Sequence, residues 1–282
     1  MGSSITYWAA LTAAKQTLTA ADQDPSAAQF LWQETQNWTF TQLVQHYREL
    51  VPATQLATYQ QQVARVAQGE PAQYVLGHAP FYGREFRVTA ATLIPRQETE
   101  ELVEWILTTT VKTPQTVLDV GTGSGAIAVT LKAERPQWQV IGTDISPAAV
   151  TVAQQNALRL APQVKVVSGD LFAPVVGQHF DLIVSNPPYI DHTELAAMDE
   201  SVKRYEPQTA LFAADHGLAF YRRFAANLPT YLTPHGTFFA ELGYQQGTAV
   251  RAIFEAALPK AQVTIRQDLS GHDRMVRVQL TE

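Results

Sequence analysis

The segment Asp181-Leu182-Ile183-Val184-Ser185-Asn186-Pro187-Pro188-Tyr189 offers the most specific chemistry in the chain. Its apolar run reads as a buried strand that ends in Asn-Pro-Pro-Tyr. Asn-Pro and Pro-Pro both mark turns, yet these residue types also present a defined set of polar atoms. Pro187 and Pro188 have no N–H, so they stiffen the loop and leave carbonyl oxygens that local amides do not consume. Asn186 adds a side-chain carbonyl. Together they make a rigid pair of acceptors suited to a planar NH₂ group, whose two hydrogens are held while its lone pair stays free. Tyr189 can cover the flat face of that group and, through its ring, favour nearby positive charge. An amide or aniline-like nitrogen is a poor nucleophile because its lone pair is delocalised. Accepting hydrogen bonds from both N–H groups raises the electron density on nitrogen and fixes its approach to an electrophile. No strong base is required if the proton leaves after transfer. The seven histidines are scattered without ligand spacing such as HxxxH, so no metal site is expected, and His192, just past the motif, reads as a loop residue.

A second constellation is Asp119-Val120-Gly121-Thr122-Gly123-Ser124-Gly125-Ala126. Glycines at every second position let a strand turn sharply into a helix and let a ligand approach the backbone. The helix that follows aims its first amides at that ligand. Gly121, Gly123 and Ala126 also fit a dinucleotide loop, so a NAD-binding reading stays open from the loop alone. Asp119 tilts away from it, because a carboxylate there attracts a cationic amino or sulfonium group and repels a pyrophosphate. Asp144 closes the next strand, placed to accept from ribose hydroxyls, a feature shared with NAD-binding folds. Asp170 follows the third strand and could accept from an adenine amino group, with Leu171 or Phe172 packing near the base.

Elements that would position these residues follow from periodicity. The first 72 residues read as helices over Ile5–Ala20, Ala27–Gln36 (after Asp24-Pro25), Phe40–Leu50 (capped by Thr39) and Ala53–Gln68. Residues 73–92 have the Tyr/Phe/Val/Gly texture of a β-hairpin linker. From 93 to 282, apolar runs at Thr116–Val120, Val140–Thr143, Val164–Val167, Phe180–Ser185, Thr237–Leu242, Val263–Gln267 and Met275–Leu280 alternate early on with amphipathic stretches at Glu98–Leu107, Ala126–Glu134 and Pro147–Leu160. That pattern predicts an α/β fold with a seven-stranded, doubly wound, Rossmann-like sheet, the last two strands antiparallel at one edge. The N-terminal bundle has polar, Gln-rich faces that suit either partner docking or simple packing.

The formal charge of −6, without a long basic run, argues against gripping duplex nucleic acid. The chain has no cysteine, which removes disulfides, thiolate metal sites and Cys nucleophiles together. No secretory n-region and no membrane-length apolar stretch is visible, so a cytoplasmic, membrane-free protein is expected.

The glycine loop, Asp144 and Asn186-Pro187-Pro188-Tyr189 jointly resemble amino-methyltransferases acting on planar nitrogen, including DNA adenine N6 and protein glutamine N5 enzymes. Flanking motifs narrow the resemblance: Gln73-Tyr74-Val75-Leu76-Gly77, Phe81-Tyr82-Gly83-x-x-Phe86, Leu93-Ile94-Pro95-Arg96-x-Glu98-Thr99-Glu100, Glu206-Pro207-x-x-Ala210-Leu211, Glu241-Leu242-Gly243-x-x-Gln246 and Gly271-x-Asp273-Arg274. Over nearly the whole chain they look like the bacterial peptide chain release factor glutamine methyltransferase family. The resemblance implies S-adenosyl-L-methionine as methyl donor, with S-adenosyl-L-homocysteine as product. Gly121 through Gly125 and Asp144 would hold the donor, together with Asp119, Asp170, Leu171, Phe172 and Asn186. Asn186 through Tyr189 would hold the glutamine of the Gly-Gly-Gln loop of class I release factors, with Phe81 walling its pocket. A monomer is expected. Arg96, Glu98 and Glu100 are expected either to fix the linker or to touch substrate. Gln97 stands where the family carries proline, Leu171 where an aromatic residue often abuts adenine, and Ala214-Asp215-His216-Gly217 varies a Gly/Asp-rich turn. The competing readings are a methyltransferase of a ribosomal protein's glutamine, a nucleic-acid base methyltransferase, a non-catalytic nucleotide-binding module and a dehydrogenase.

Overall fold

The computed structural model describes residues 5–281, so the first four residues of the expected helical segment lie outside the described residues. The chain forms two compact units: the chain up to His78 with Asp199–Tyr205, and Ala79–Met198 with the rest from Glu206. Residues 199–205 thus leave the contiguous 93–282 domain that the sequence predicts, since a short return of the chain to an earlier unit has no composition shift to mark it.

The first unit contains α1 (Tyr7–Ala20), α2 (Ser26–Gln36), α3 (Phe40–His46), α4 (Ala53–Ala67) and α5 (Ala72–Leu76). Local chemistry sets their starts. Thr6 accepts from the Ala9 amide, Asp24 accepts from Ser26, and Thr39 with Gln42 forms a reciprocal capping box. Helix α3 stops at His46, short of the expected Leu50. The carbonyls of Tyr47 and Glu49 instead accept from the first amides of α1, Trp8 and Tyr7, at 3.1 Å each. Trp32 stacks on Tyr59 at 4.0 Å, and the Tyr59 hydroxyl donates to the Ala28 carbonyl, so this buried phenol keeps its hydrogen bond. Leu11, Leu18, Leu31 and Leu43 complete the core of this unit, each side chain contributing about 2 kcal/mol by leaving water. The expected hairpin texture at Tyr74-Val75-Leu76 is instead helical. The Val75 amide donates to the Pro71 carbonyl to open that turn, and Gly77 ends it in the left-handed region.

The hairpin proper is β1 (His78–Phe81) and β2 (Arg84–Arg87), turning through Tyr82 and Gly83, both with positive φ as tight hairpin turns require. Then follow α6 (Gln97–Thr109), β3 (Thr116–Val120), α7 (Ala126–Glu134), β4 (Gln139–Asp144), α8 (Pro147–Leu160), β5 (Lys165–Ser168), β6 (Phe180–Ser185), α9 (Glu200–Tyr205, part of the first unit), α10 (Ala219–Tyr231), β7 (Leu232–Glu241), α11 (Gly247–Ala257), β8 (Gln262–Gln267) and β9 (Asp273–Gln279). The seven-stranded sheet runs β5-β4-β3-β6-β7-β9-β8. Its first five strands are parallel, and β9 is antiparallel to both β7 and β8. The doubly wound sheet expected from the sequence is the one that forms. Alternate strand residues enter opposite layers: Val117 packs with Leu102, Ile106 and Leu131 from α6 and α7, while Leu118 packs with Phe224, Val250 and Phe254 from α10 and α11. Strand β7 begins at Leu232 rather than Thr237. Leu232 pairs with Phe180 and Thr237 with Leu182, so residues 233–236, with Pro234 and Gly236, bulge out of the ladder. Among the described residues no helix is long and apolar enough to cross a membrane.

Strand order reverses at β3, flanked by β4 and β6, and the crevice beyond the carboxyl ends there is where open α/β sheets hold ligands.

Candidate active site

That crevice is a cavity of about 250 Å³ within the second unit. Gly121, Thr122, Gly123 and Ser124 form one wall, Asp144 stands at the end of β4, and Asp170 and Leu171 follow β5. Asn186, Pro187 and Pro188 approach from the end of β6, so ten of the sequence-assigned residues meet at one site although they come from four strand ends.

The glycine loop is held from below. The Gly121 and Thr122 amides donate to the Thr143 carbonyl, and the Gly123 amide donates to Asp144 Oδ2 at 2.9 Å. Asp144 Oδ1 accepts from Ser146, and burial raises this carboxyl above its usual range against the pull of those two amides. Gly125 caps α7 with φ +82° and lies so close to α8 that a Cβ would meet the Ala153 methyl at 3.3 Å. It supports the wall from behind.

Asp119 sits lower than the sequence suggests. It is fully buried and does not line the cavity; Oδ2 accepts from Thr122 Oγ1 at 2.6 Å and from the Ala128 amide at 3.1 Å. Oδ1 has no hydrogen-bond partner, and burial pushes the carboxyl up to about 7. Phe172 also departs from its expected place. Its ring stacks on Tyr231 at 4.4 Å inside the α10 layer, whereas Leu171, with φ +46°, is the residue turned to the cavity. Asp170 pairs with Arg223 of α10 at 2.6 Å.

Phe81 is a correction as well. Strand alternation directs it inward with Ala79, against Phe86 and the α6 layer, and it is absent from the cavity wall. Tyr189 lies beside the cavity rather than on its wall. Its hydroxyl donates to Glu241 Oε1 at 3.1 Å, and burial together with the Glu241 charge raises the phenol well above its ordinary range. The Tyr189 carbonyl accepts from Gln246 Nε2 at 2.8 Å, and the same nitrogen donates to the His216 carbonyl. The 214–217 turn therefore seats directly on this loop, where a Cβ at Gly217 would collide with the Tyr189 carbonyl oxygen. Among the described residues no hydrogen bond is made to the Pro187 carbonyl. His192 is exposed and stacks on Phe212, away from the cavity.

Several contributors escaped sequence reasoning. Thr99 lines the cavity and accepts from Asn186 Nδ2 at 3.1 Å, while its own hydroxyl donates to Glu241 Oε2 at 2.7 Å. Thr99 and Glu241 stand inside motifs quoted above, but nothing local in either motif says that they meet. Glu241 is buried, which raises its carboxyl against the hydrogen bonds from Thr99 and Tyr189 and the nearby Arg274 charge. Phe220 and Arg223 enter the wall from α10, a helix that the sequence analysis does not assign. At the start of α6, Glu100 accepts from the Tyr82 amide and so fixes the hairpin turn. Arg96 reaches the cavity and pairs with buried Glu206 at 2.5 Å.

Comparison with known proteins agrees with this architecture. The PrmC N-terminal domain model matches residues 9–77, and the methyltransferase small domain model matches residues 98–205. The release factor glutamine methyltransferase of Enterococcus faecalis is 44% identical over 269 residues, covering 95% of this chain and 97% of its own. That of Lactococcus lactis is 40% identical over 265 residues, covering 94% and 98%. A methyltransferase crystal structure from Pyrococcus furiosus shares the fold at 15% identity, with a TM-score of 0.54 over 81% of this chain and 98% of that one. On the strength of the full-length relatives, the chain belongs to the release factor glutamine methyltransferase family.

Proposed function

We propose that the protein transfers a methyl group from S-adenosyl-L-methionine to the side-chain amide nitrogen (N5) of the glutamine in the Gly-Gly-Gln loop of class I peptide chain release factors, in support of translation termination. The observation that carries this reading is the meeting of Asn186 and Pro187, two acceptor-bearing residues, with the glycine loop and Asp144 around one cavity. The named activity of the full-length relatives supports the choice of a glutamine amide over a nucleic-acid base.

The residues present fit such a donor. Asp144 offers carboxylate lone pairs at the strand end, the loop from Gly121 to Ser124 offers a close backbone approach, and Asp119 Oδ1 beneath that loop is a buried acceptor without a partner. The donor supplies an electrophilic methyl on a sulfonium. Asn186 Oδ1 and the Pro187 carbonyl accept the two N–H groups of the substrate amide, which raises electron density on its nitrogen and aims the lone pair. The apolar wall around Leu171 and Ile127 excludes water that would compete for the same acceptors. Asp170, positioned by Arg223, is the acceptor for the donor's base. The N-terminal helical unit serves to dock the release factor. Binding of nucleic acid or membrane plays no part in the reading, and the enzyme works as a monomer in the cytoplasm.

The direct test is transfer of labelled methyl from S-adenosyl-L-methionine to purified class I release factors, with Gln→Ala in the Gly-Gly-Gln loop as control. Label in the factor that vanishes with the loop variant is the expected outcome. Label that persists in the variant, or that enters only a ribosomal protein, would move the activity to another substrate.

A further inference from the structure

The two ends of an asparagine carboxamide are nearly isosteric, so only its hydrogen-bond partners decide which atom faces a ligand. At Asn186 those partners form a one-way chain. A hydroxyl has a single proton, and that of Thr99 goes to Glu241 Oε2 at 2.7 Å. Thr99 Oγ1 can therefore only accept from Asn186, and it does so from Nδ2 at 3.1 Å. The second Glu241 oxygen accepts a hydrogen bond from the Tyr189 hydroxyl, so this side chain is the acceptor on both sides. Thr99 and Glu241 are buried, which keeps water from offering a substitute proton. A flipped Asn186 would set Oδ1 against the lone pairs of Thr99 with no hydrogen between them, the kind of unpaired buried contact that folded proteins avoid. Helix α6, the end of β6 and the end of β7 thus converge to define one orientation of one side chain.

Resting on the glutamine-methylating function above, we propose that Thr99 and Glu241 are positioning residues that lock the Asn186 carboxamide so that it offers its oxygen to the substrate, and that this lock selects a primary amide over the carboxylate of a deamidated loop. A glutamine brings two N–H donors to the Asn186 and Pro187 oxygens. A glutamate brings none, and its charge meets two lone-pair acceptors, so the same geometry that activates the amide rejects the acid.

Thr99→Val keeps the shape and removes the hydroxyl, whereas Thr99→Ser keeps the hydroxyl. For Thr99→Val the expected result is a fall in kcat on the order of 10- to 100-fold, comparable to losing one preorganised polar contact. Donor affinity should stay within about twofold, and a factor carrying Gly-Gly-Glu should compete roughly tenfold better than it does against wild type. Thr99→Ser should restore both kcat and rejection of the glutamate loop. Equal kcat and equal rejection in Thr99→Val and wild type would overturn the proposal. If Thr99→Val does not fold, the Asn186 side-chain amide signals decide. One protected set is expected in wild type, and two sets in Glu241→Gln, whose carboxamide can either accept from or donate to Thr99. A single unprotected set in wild type would likewise overturn it. Those signals need no substrate, so a wild-type enzyme that methylates no release factor would remove the functional reading while the lock is still judged by them.

Discussion

The Asn156 side chain donates to the Ser124 carbonyl at 2.8 Å and at once pairs with the backbone of Arg87, accepting from its amide at 2.8 Å and donating to its carbonyl at 2.9 Å. One buried carboxamide on α8 thus ties the end of the hairpin to the glycine loop, and the hairpin strand β2 becomes part of the scaffold of the site. Asn156→Leu leaves three backbone groups without their partner, the Ser124 carbonyl in a buried setting and the two Arg87 groups in a half-buried one. The expected cost is about 3 kcal/mol of stability, read by denaturant unfolding. Weaker donor binding should accompany it, because the Ser124 segment loses its anchor. Unchanged donor affinity in a destabilised variant would show that the loop is rigid without Asn156.

The Arg96–Glu206 pair gives a prediction of opposite signs. Glu206 is almost wholly enclosed, and its second oxygen has no hydrogen-bond partner, so the guanidinium is its main compensation. Arg96→Met should cost about 3 kcal/mol by stranding a buried charge. Arg96→Met combined with Glu206→Met should recover much of that loss, because the isolated charge is gone. Urea denaturation of the two variants distinguishes this from a purely steric role of Arg96, in which the double variant would be the worse of the two.

How the sequence could be read follows the same distinction between local and distant partners. Asn186-Pro187-Pro188 and Gly121 through Ser124 were legible because a run of consecutive residues carries their chemistry. Asp144 was legible because β4 ends on it. The roles of Thr99 and Glu241 were not, since Thr99 lies 87 residues from Asn186 and 142 from Glu241, and only the sheet brings them together. Phe172 and Leu171 are adjacent and both apolar, and the left-handed backbone at Leu171 sends one to the cavity and the other to the core. Helices α10 and α11 carry a clear amphipathic pattern, with Tyr221, Phe224, Ala225 and Leu228 buried in the first and Val250 and Phe254 in the second, but neither has a side-chain cap to mark its start.

Asp119 predicts a pH dependence. Its carboxyl titrates near 3.8 when exposed and is pushed up to about 7 in the folded protein by burial. The folded state therefore holds a proton that the unfolded chain has released between those values. Stability falls as pH rises from about 4 to 7 and is flat above, by roughly 4 kcal/mol at most. Asp119→Asn removes this slope while keeping an oxygen for Thr122 and Ala128. Thermal unfolding of the ligand-free protein between pH 5 and 8 checks it; identical slopes in variant and wild type would mean that Asp119 stays ionised throughout.

The central claim is that Asn186 acts on the substrate nitrogen, not merely on the fold. Its most direct test is single-turnover methyl transfer to release factor by Asn186→Ala, with donor affinity measured on the same preparation. The expected result is a rate lower by at least about 100-fold, with donor affinity within about threefold of wild type. A rate close to wild type, or a loss of rate explained entirely by lost donor affinity, would contradict the account.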